Sequence, residues 1–371
     1  MAEALKHLIG PHTARDTADA VARAWGAFDS SAFLADILPA LDALELMQRG
    51  QCIADALHRH LPDDFEAAAA ILQDCLPAPD RTGLSGWALL SFNQYIAAHG
   101  RGHVETALAL LKTLTPHFTA EFGIRTFISD QQEKALAIIS GWVTDPNHHV
   151  RRLASEGTRP RLPWAMRLPR LVQDPAPILP ILEALIDDEE DYVRRSVANS
   201  LNDIAKDHAD LVADFVERHR AGASKNRLWL LKHASRTLVK KGHVKALANF
   251  GYEPVSDVSV ALDLASDRIP FPGELGFRIH LANTGASTRT VLIDYAIHHQ
   301  KKDGSLTPKV FKGKSLVLAA GERVTMERRH PLRPITTRVY HTGRHGLEIL
   351  LNGASVARQD FHLDLGGKET A

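Results

Sequence analysis

Between about residue 12 and residue 250, apolar side chains recur at helical spacing. Ser30–His60, Asp64–Leu76, Val104–Leu114 and Ile178–Ile186 each carry an apolar stripe, and short turns bearing Pro, Gly or Asp separate them. A period near 3.6 interrupted by such breakers predicts helix after helix, with no strand of the kind a βαβ unit needs. The period changes near Pro254. VSVALDL, LGFRIHLAN, TVLIDYAIHH, KSLVLAAGERVTMERRH and HGLEILLNG alternate, or run as short apolar segments, between Asn-Thr-Gly, Asp-Gly, Ala-Gly and Asn-Gly turns. Alternation with a period of two, punctuated in this way, predicts a β-sandwich of about seven strands.

An internal repeat refines the helical part. ALAIISGWVTDPNHHVRR, residues 135–152, aligns without gaps on ILPILEALIDDEEDYVRR, residues 178–195, at an offset of 43. Asp145 falls on Asp188, Val150 on Val193 and the arginine pair on its counterpart, and Asn226–Gly242 makes a weaker third copy. A helix, an acidic turn and a second helix opening D-x-x-x-x-V-R-R, at a period of about 40–47 residues, are HEAT-repeat features. Such hairpins stack into a solenoid whose concave face holds an extended partner. The sandwich lacks the Cys…Trp…Cys pattern of antibody domains and is immunoglobulin-like in architecture only. The predicted chain is multidomain: an all-α HEAT-like repeat solenoid over residues 1–252, then an all-β immunoglobulin-like sandwich over residues 253–371.

Charge changes the picture through its distribution. Lys/Arg and Asp/Glu balance at 44 each, which by itself speaks against a nucleic-acid partner. Residues 1–100 hold 6 Lys/Arg against 13 Asp/Glu, residues 101–220 hold 15 against 18, and residues 221–371 hold 23 against 13. A chain polarised in this way presents a basic surface while staying neutral as a whole. No apolar run approaches the ~20 residues of a membrane-spanning helix. The N-terminal MAEALKHLIG lacks the basic leader and apolar core of a secretory signal. Cys52 and Cys75 are the only cysteines, which suits a reducing compartment. The expectation is a cytoplasmic monomer, nucleoid-associated when bound to DNA, with no membrane and no obligate protein partner.

The candidate chemistry lies in RRLASEGTRPRLPWAMRLPR, residues 151–170. Arg151, Arg152, Arg159, Arg161, Arg167 and Arg170 surround one acid, Glu156, and one tryptophan, Trp164, without a lysine. A planar guanidinium fork suits bidentate phosphate contact, whereas a merely solvated face usually mixes both basic residues with acids. In a structural role the same arginines would tie neighbouring repeats together through ion pairs. Glu121 stands 35 residues before Glu156, and Asp203 stands 47 after it, distances at which three acids line successive rungs of one face. Glu121 sits among Phe118, Phe122 and Phe127, where an unpaired carboxylate would be costly. Asp203 lies one turn beyond Asn199, the repeat counterpart of Glu156. In the sandwich, HHQKKDG, ERRHPLRP and RVYHTGRHG place Lys301, Lys302, Arg338 and Arg344 in basic loops, expected to act as a second clamp over a duplex. Phosphate-loop, H-E-x-x-H and C-x-x-C motifs are absent. His148-His149 and His298-His299 are adjacent pairs, read as turn or solvent histidines, so neither a metal nor a cofactor is expected.

The helical repeats, the TRPRLPWA segment and the D-x-x-x-x-V-R-R-S-V-A-N-S-L-N-D run resemble the HEAT-like alkylpurine DNA glycosylases, most closely their AlkC branch, over most of residues 1–250. Some members of that branch carry an appended immunoglobulin-like domain. The resemblance implies excision of N3-alkylated bases, chiefly 3-methyladenine, from duplex DNA without a cofactor, as in base excision repair of alkylation damage. It implies that Glu121, Glu156, Trp164 and Asp203 face the lesion, while the arginine chemistry itself puts Arg151, Arg152, Arg159, Arg161, Arg167 and Arg195 at the DNA.

Elementary chemistry suits so sparse a set. An N3-alkylated purine is a cation and departs as a neutral base, so no acid has to protonate it. What remains is to stabilise an oxocarbenium-like sugar, which a preorganised carboxylate does electrostatically, and to place a water. Trp164 would add a cation–π contact. Two other readings share the arginines: a HEAT adaptor holding an acidic protein, and a non-catalytic binder of DNA nicks or damage. The first has no use for carboxylates inside a basic groove, and the second predicts indifference to Glu156.

Overall fold

The computed structural model describes residues 5–366; residues 1–4, part of the N-terminal stretch read above, and 367–371 lie outside the described residues. Helices α1 (Pro11–Ala24), α2 (Ser30–Ile37), α3 (Leu46–His60), α4 (Phe65–Asp74), α5 (Leu89–His99), α6 (Val104–Leu114), α7 (Glu121–Asp130) and α8 (Gln132–Ser140) open the chain. They lead into α9 (His148–Gly157), α10 (Pro169–Gln173), α11 (Leu179–Ala184), α12 (Asp191–Ile204), α13 (Ala209–Arg220), α14 (Lys225–Ala234), α15 (Arg236–Lys240) and α16 (Val244–Ala248). The stripe over Ser30–His60 is two helices rather than one, because Pro39 cannot continue α2 and a 3-10 turn at Leu41–Ala43 intervenes. Among the described residues no helix is long and apolar enough to cross a membrane.

Helices α3, α5, α7, α9, α12 and α14 pack side by side in that order, the row expected of stacked hairpins. Gly157 permits the closest approach in this row, since a Cβ there would lie 2.1 Å from Ile124 Cδ1 on α7. The repeat is visible as a side-chain device. Arg151 Nη1 donates to the carbonyls of Asp145 and Pro146 at 2.9 and 3.2 Å, and Arg194 Nη1 donates to those of Asp188 and Glu189 at 2.5 and 2.7 Å. In each copy the first arginine of V-R-R reaches back the same number of residues and closes the acidic turn before its own helix.

The strands are β1 (Val258–Leu264), β2 (Arg268–Pro270), β3 (Gly273–Asn283), β4 (Arg289–Gln300), β5 (Leu306–Leu318), β6 (Arg323–Leu332), β7 (Gly343–Leu351) and β8 (Ala354–Asp364). They form two sheets, β1-β3-β6 and β2-β8-β7-β4-β5. Inward residues of β3 (Leu275, Phe277, Ile279, Leu281) and of β4 and β7 (Val291, Ile293, Ile297, Leu347, Ile349) share one core. Among the described residues, eight strands stand where about seven are expected. The extra one, β2, is a three-residue strand running parallel to β8, too short for alternation to announce.

By packing, the chain forms two compact units. One runs to Asp207 and includes Lys225–Ala234; the other comprises His208–Ser224 and the chain from Ser235 onward, so α13, α15 and α16 belong with the strands. Helix gives way to strand around Pro254, between Ala248 and Val258, but that change is not the edge of the second unit. Within that unit the Asn249 amide donates to Ala213 O at 2.8 Å, and Gly242 lies against the backbone of Gly353, where no Cβ would fit.

One sequence expectation reverses inside the sandwich. His299 is buried, not solvated, because it shares the inward parity of Ile297 on β4. His330 and His345 are buried near it, among Tyr295, Phe311, Tyr340 and Phe361. Burial pushes His299 down to about 3 and His330 to about 4, with Arg338 adding to both. Both are neutral in the fold and regain their ordinary affinity for protons on unfolding. Their stabilisation is therefore present above about pH 6.5 and is lost as pH falls toward 4. Calorimetry of the full chain should show the sandwich transition moving to lower temperature between pH 7 and pH 5. A His299→Gln/His330→Gln chain should show a flatter pH dependence; an equal slope would remove these histidines as the cause.

Candidate active site

Helices α7, α9 and α12 bring the three acids together. Glu121 opens α7, Glu156 lies in the last turn of α9 and Asp203 in the last turn of α12, and all three are buried. Two guanidinium groups link them in a chain. Arg152 donates to Glu121 Oε2 at 3.0 Å and lies 3.4 Å from Glu156 Oε1. Arg159 donates to Glu156 Oε1 at 2.6 Å and to Asp203 Oδ2 at 2.8 Å. Lys206 closes the far end on Asp203 Oδ1 at 2.7 Å. The second oxygen of Glu156 accepts from the Ser196 hydroxyl at 2.7 Å, and Ser155 donates to Ser196 in turn. Each carboxylate is thus held in one orientation by charged or hydroxyl donors, which is what preorganisation requires.

Burial acts unequally on the set. It pushes the Glu121 carboxyl up, with Glu156 adding to the rise, while Arg152 pulls the other way. For Arg152, burial opposes its charge, but the carboxylates of Glu121 and Glu156 outweigh that and raise it.

The arginines divide by use. Arg151, expected at a phosphate, is buried with its Nε and Nη2 on the Asp188 carboxylate at 2.6 and 3.0 Å, where it ties neighbouring repeats together. Arg152 and Arg159 are likewise enclosed with the acids, and Arg161 makes a two-pronged pair with Asp207 at 2.8 Å. Their sequence neighbours gave no sign of this, since every carboxylate partner other than Glu156 lies 31 to 46 residues away. Arg167 and Arg170 stay exposed, and Arg195 is exposed beside Asp191. In the second unit, Lys301 and Lys302 are exposed between β4 and β5, Arg338 is joined to His299, and Arg344 pairs with Asp360.

Trp164 is the most exposed large apolar residue here, at 89%, on the segment between α9 and α10. Its φ is 63°, a left-handed conformation that costs a residue with a Cβ about 1–2 kcal/mol. A residue missed by sequence reading holds this segment. Arg125 on α7 is fully buried and donates to the carbonyls of Gly157, Arg159 and Met166 at 2.9, 2.7 and 2.8 Å. Burial, then Arg159, lowers its guanidinium to about 10. The available signal was a lone cation inside the apolar stripe EFGIRTF. Strain retained at an exposed ring points to use rather than packing. Trp164→Gly should leave the melting temperature unchanged or raise it, while activity on the chain's substrate falls two- to fivefold or more, roughly the scale of a cation–π contact. A variant equally active would make the ring incidental.

Comparison with known proteins shows the family and the fold. The family described as DNA alkylation repair enzyme matches residues 115–238, and the one described as Uncharacterised protein YhaZ, C-terminal Ig-like domain, matches residues 259–365. The uncharacterized protein YhaZ of Bacillus subtilis (strain 168) is 38% identical over 321 residues, spanning 86% of this chain and 88% of its own length. Pseudomonas fluorescens alkylpurine DNA glycosylase AlkC, solved bound to DNA containing an abasic site analog, superposes with a TM-score of 0.80 at 34% identity, covering 97% of this chain and 99% of that one. A β-glucosidase from Listeria innocua overlaps only 31% of the chain, with a TM-score of 0.26.

Proposed function

Since the chain belongs to the AlkC branch of the HEAT-like-repeat alkylpurine DNA glycosylases, with their C-terminal immunoglobulin-like domain, we propose that it hydrolyses the N-glycosidic bond of cationic N3-alkylated bases, chiefly 3-methyladenine, in duplex DNA. The observation that carries this reading is the oriented cluster of Glu121, Glu156 and Asp203 in the unit that presents Trp164.

The cationic base takes the glycosidic electron pair and leaves neutral, and positive charge develops on the sugar. A fixed carboxylate opposite C1′ stabilises that charge most where it is fully formed, in the transition state. Water then adds to C1′, and its proton passes to a carboxylate or to solvent, giving an abasic sugar. Trp164 contacts the charged nucleotide through its ring face. Exposed Arg167, Arg195, Lys301, Lys302 and Arg344, together with Arg161 and Arg338, are the proposed phosphate contacts, in a monomeric enzyme that needs no cofactor.

The test is incubation with methylated duplex DNA and chromatography of the released bases. Release of 3-methyladenine supports the reading; none, at enzyme in excess, sinks it. The rate should be flat from about pH 6 to 8 because no acid is needed. Its acid limb should lie above the ordinary carboxylate range, since Glu121 is raised by burial and must be ionised to act. Single-turnover rates of Glu121→Gln that keep the same limb would show that another group sets it.

A further inference from the structure

The second arginine of each V-R-R points away from the turn its neighbour closes. Arg152 lies over the Tyr192 ring at 5.0 Å, and Arg195 lies over the Trp229 ring at 5.8 Å. Each cation therefore stacks on an aromatic residue of the next helix in the row, α9 onto α12 and α12 onto α14. Trp229 stacks in turn on His233 at 5.2 Å, and His233 Nε2 is 3.1 Å from Asn199 Oδ1, one turn before Asp203. This ladder starts at the acid cluster and reaches Trp229 and His233 on α14.

A cavity of about 270 Å³ lies there, lined by Asp191, Arg194, Arg195, Lys225, Asn226 and Trp229. Its charge is lopsided. Asp191 is the one lining acid and is shared by Arg195 at 2.7 Å and Arg194 at 3.6 Å, while Lys225 has no carboxylate partner among the described residues. Lys225 and Asn226 begin a ten-residue helix with no acid in its first turn, so a cation stands at the positive end of the helix dipole. Arg194 is buried, and its Nε–H has no acceptor among the described residues although its Nη1 has two. Three cations, an orphaned buried donor and a helix start together lack one anion. Trp229, 40% exposed, puts a ring at the same place, which suits a phosphate carried on a sugar and base better than a free ion.

We infer that this cavity is a subsite for one phosphodiester group of a DNA strand, on the helix next to the acid cluster's α12, with Lys225, Arg194 and Arg195 on the phosphate and Trp229 against the adjoining nucleotide. It deepens the function proposed above and borrows from it only the identity of the strand.

The experiment is equilibrium binding of the full chain to a duplex with an abasic-site analogue at several salt concentrations, run beside single-turnover excision. Lys225→Ala should lower the slope of log K against log[salt] by about 0.9, the share of one phosphate, and weaken binding at every salt. Trp229→Ala should weaken binding roughly two- to fivefold with the slope nearly kept. Lys134→Ala, which alters an exposed lysine on α8, is the control and should match the parent. If Lys225→Ala binds like the control, the subsite is overturned whatever the enzyme excises. If the parent binds and shows the slope change but excises nothing, the glycosylase reading falls and the subsite stands; if the parent does not bind DNA, both fall. Titration with inorganic phosphate separates the sources: phosphate binding that Lys225→Ala abolishes, with the DNA slope unchanged, would make this a free-phosphate site and overturn the inference.

Discussion

Glu156→Gln should lower single-turnover release of 3-methyladenine by about 10²-fold or more while affinity for a duplex bearing an abasic analogue holds. The amide keeps the shape of the carboxylate and removes its charge. Ser196 can still donate to the amide oxygen, and each neighbouring guanidinium keeps a second acid, Glu121 for Arg152 and Asp203 for Arg159. The variant is therefore expected to fold, which a melting curve checks before any rate is compared. The ground-state complex already contains a cationic base, but sugar charge is complete only at the transition state, so the loss should fall on the rate rather than on binding. An unchanged rate would return Glu156 to a purely structural ion pair and leave Glu121 or Asp203 as the electrostatic stabiliser.

Replacing Arg125 should cost stability and activity together. Its guanidinium spans three carbonyls at both ends of the segment that presents Trp164, and the bonds to Gly157 and Arg159 are buried, so those two acceptors lose their partner away from water if the cation is lost. A buried acceptor left unpaired costs about 1–3 kcal/mol, partly offset because a neutral residue need not be desolvated as a charge. Arg125→Met should then lose about 3 kcal/mol and several degrees of melting temperature. Arg125→Lys should do little better, because an ammonium is a point donor and cannot fork across three carbonyls. Hydrogen exchange read by mass spectrometry supplies the separate signal: amides of residues 158–168 should lose protection more than those of α3 or α5. A variant that loses stability evenly throughout the helical unit, with excision intact in the folded fraction, would reduce Arg125 to an ordinary core residue.

How far the site was legible depends on how local each partner is. The acids were found because repeat spacing carried Glu121, Glu156 and Asp203 to one face, and Trp164 because it stands alone among arginines. What those arginines hold was not legible. Arg151, Arg152, Arg159 and Arg161 reach carboxylates contributed by other hairpins, and two of them, Arg152 and Arg159, tie the acid cluster together. Periodicity states that Val150 and Val193 are buried, but it is silent on which of two consecutive arginines turns inward.

By itself the chain's sequence determined its two periods, the breakers between elements, the 43-residue repeat and hence a helical array followed by a sandwich. Those features rest on interactions within a few residues, where backbone geometry dictates the spacing. Tertiary structure alone decided that α13, α15 and α16 join the strands, that His299, His330 and His345 are buried together, and that Arg125 braces the Trp164 segment. Each of those outcomes depends on groups far apart in sequence meeting at hydrogen-bond distance. Whether a polar group enters the interior is settled by whether packing brings it a partner there.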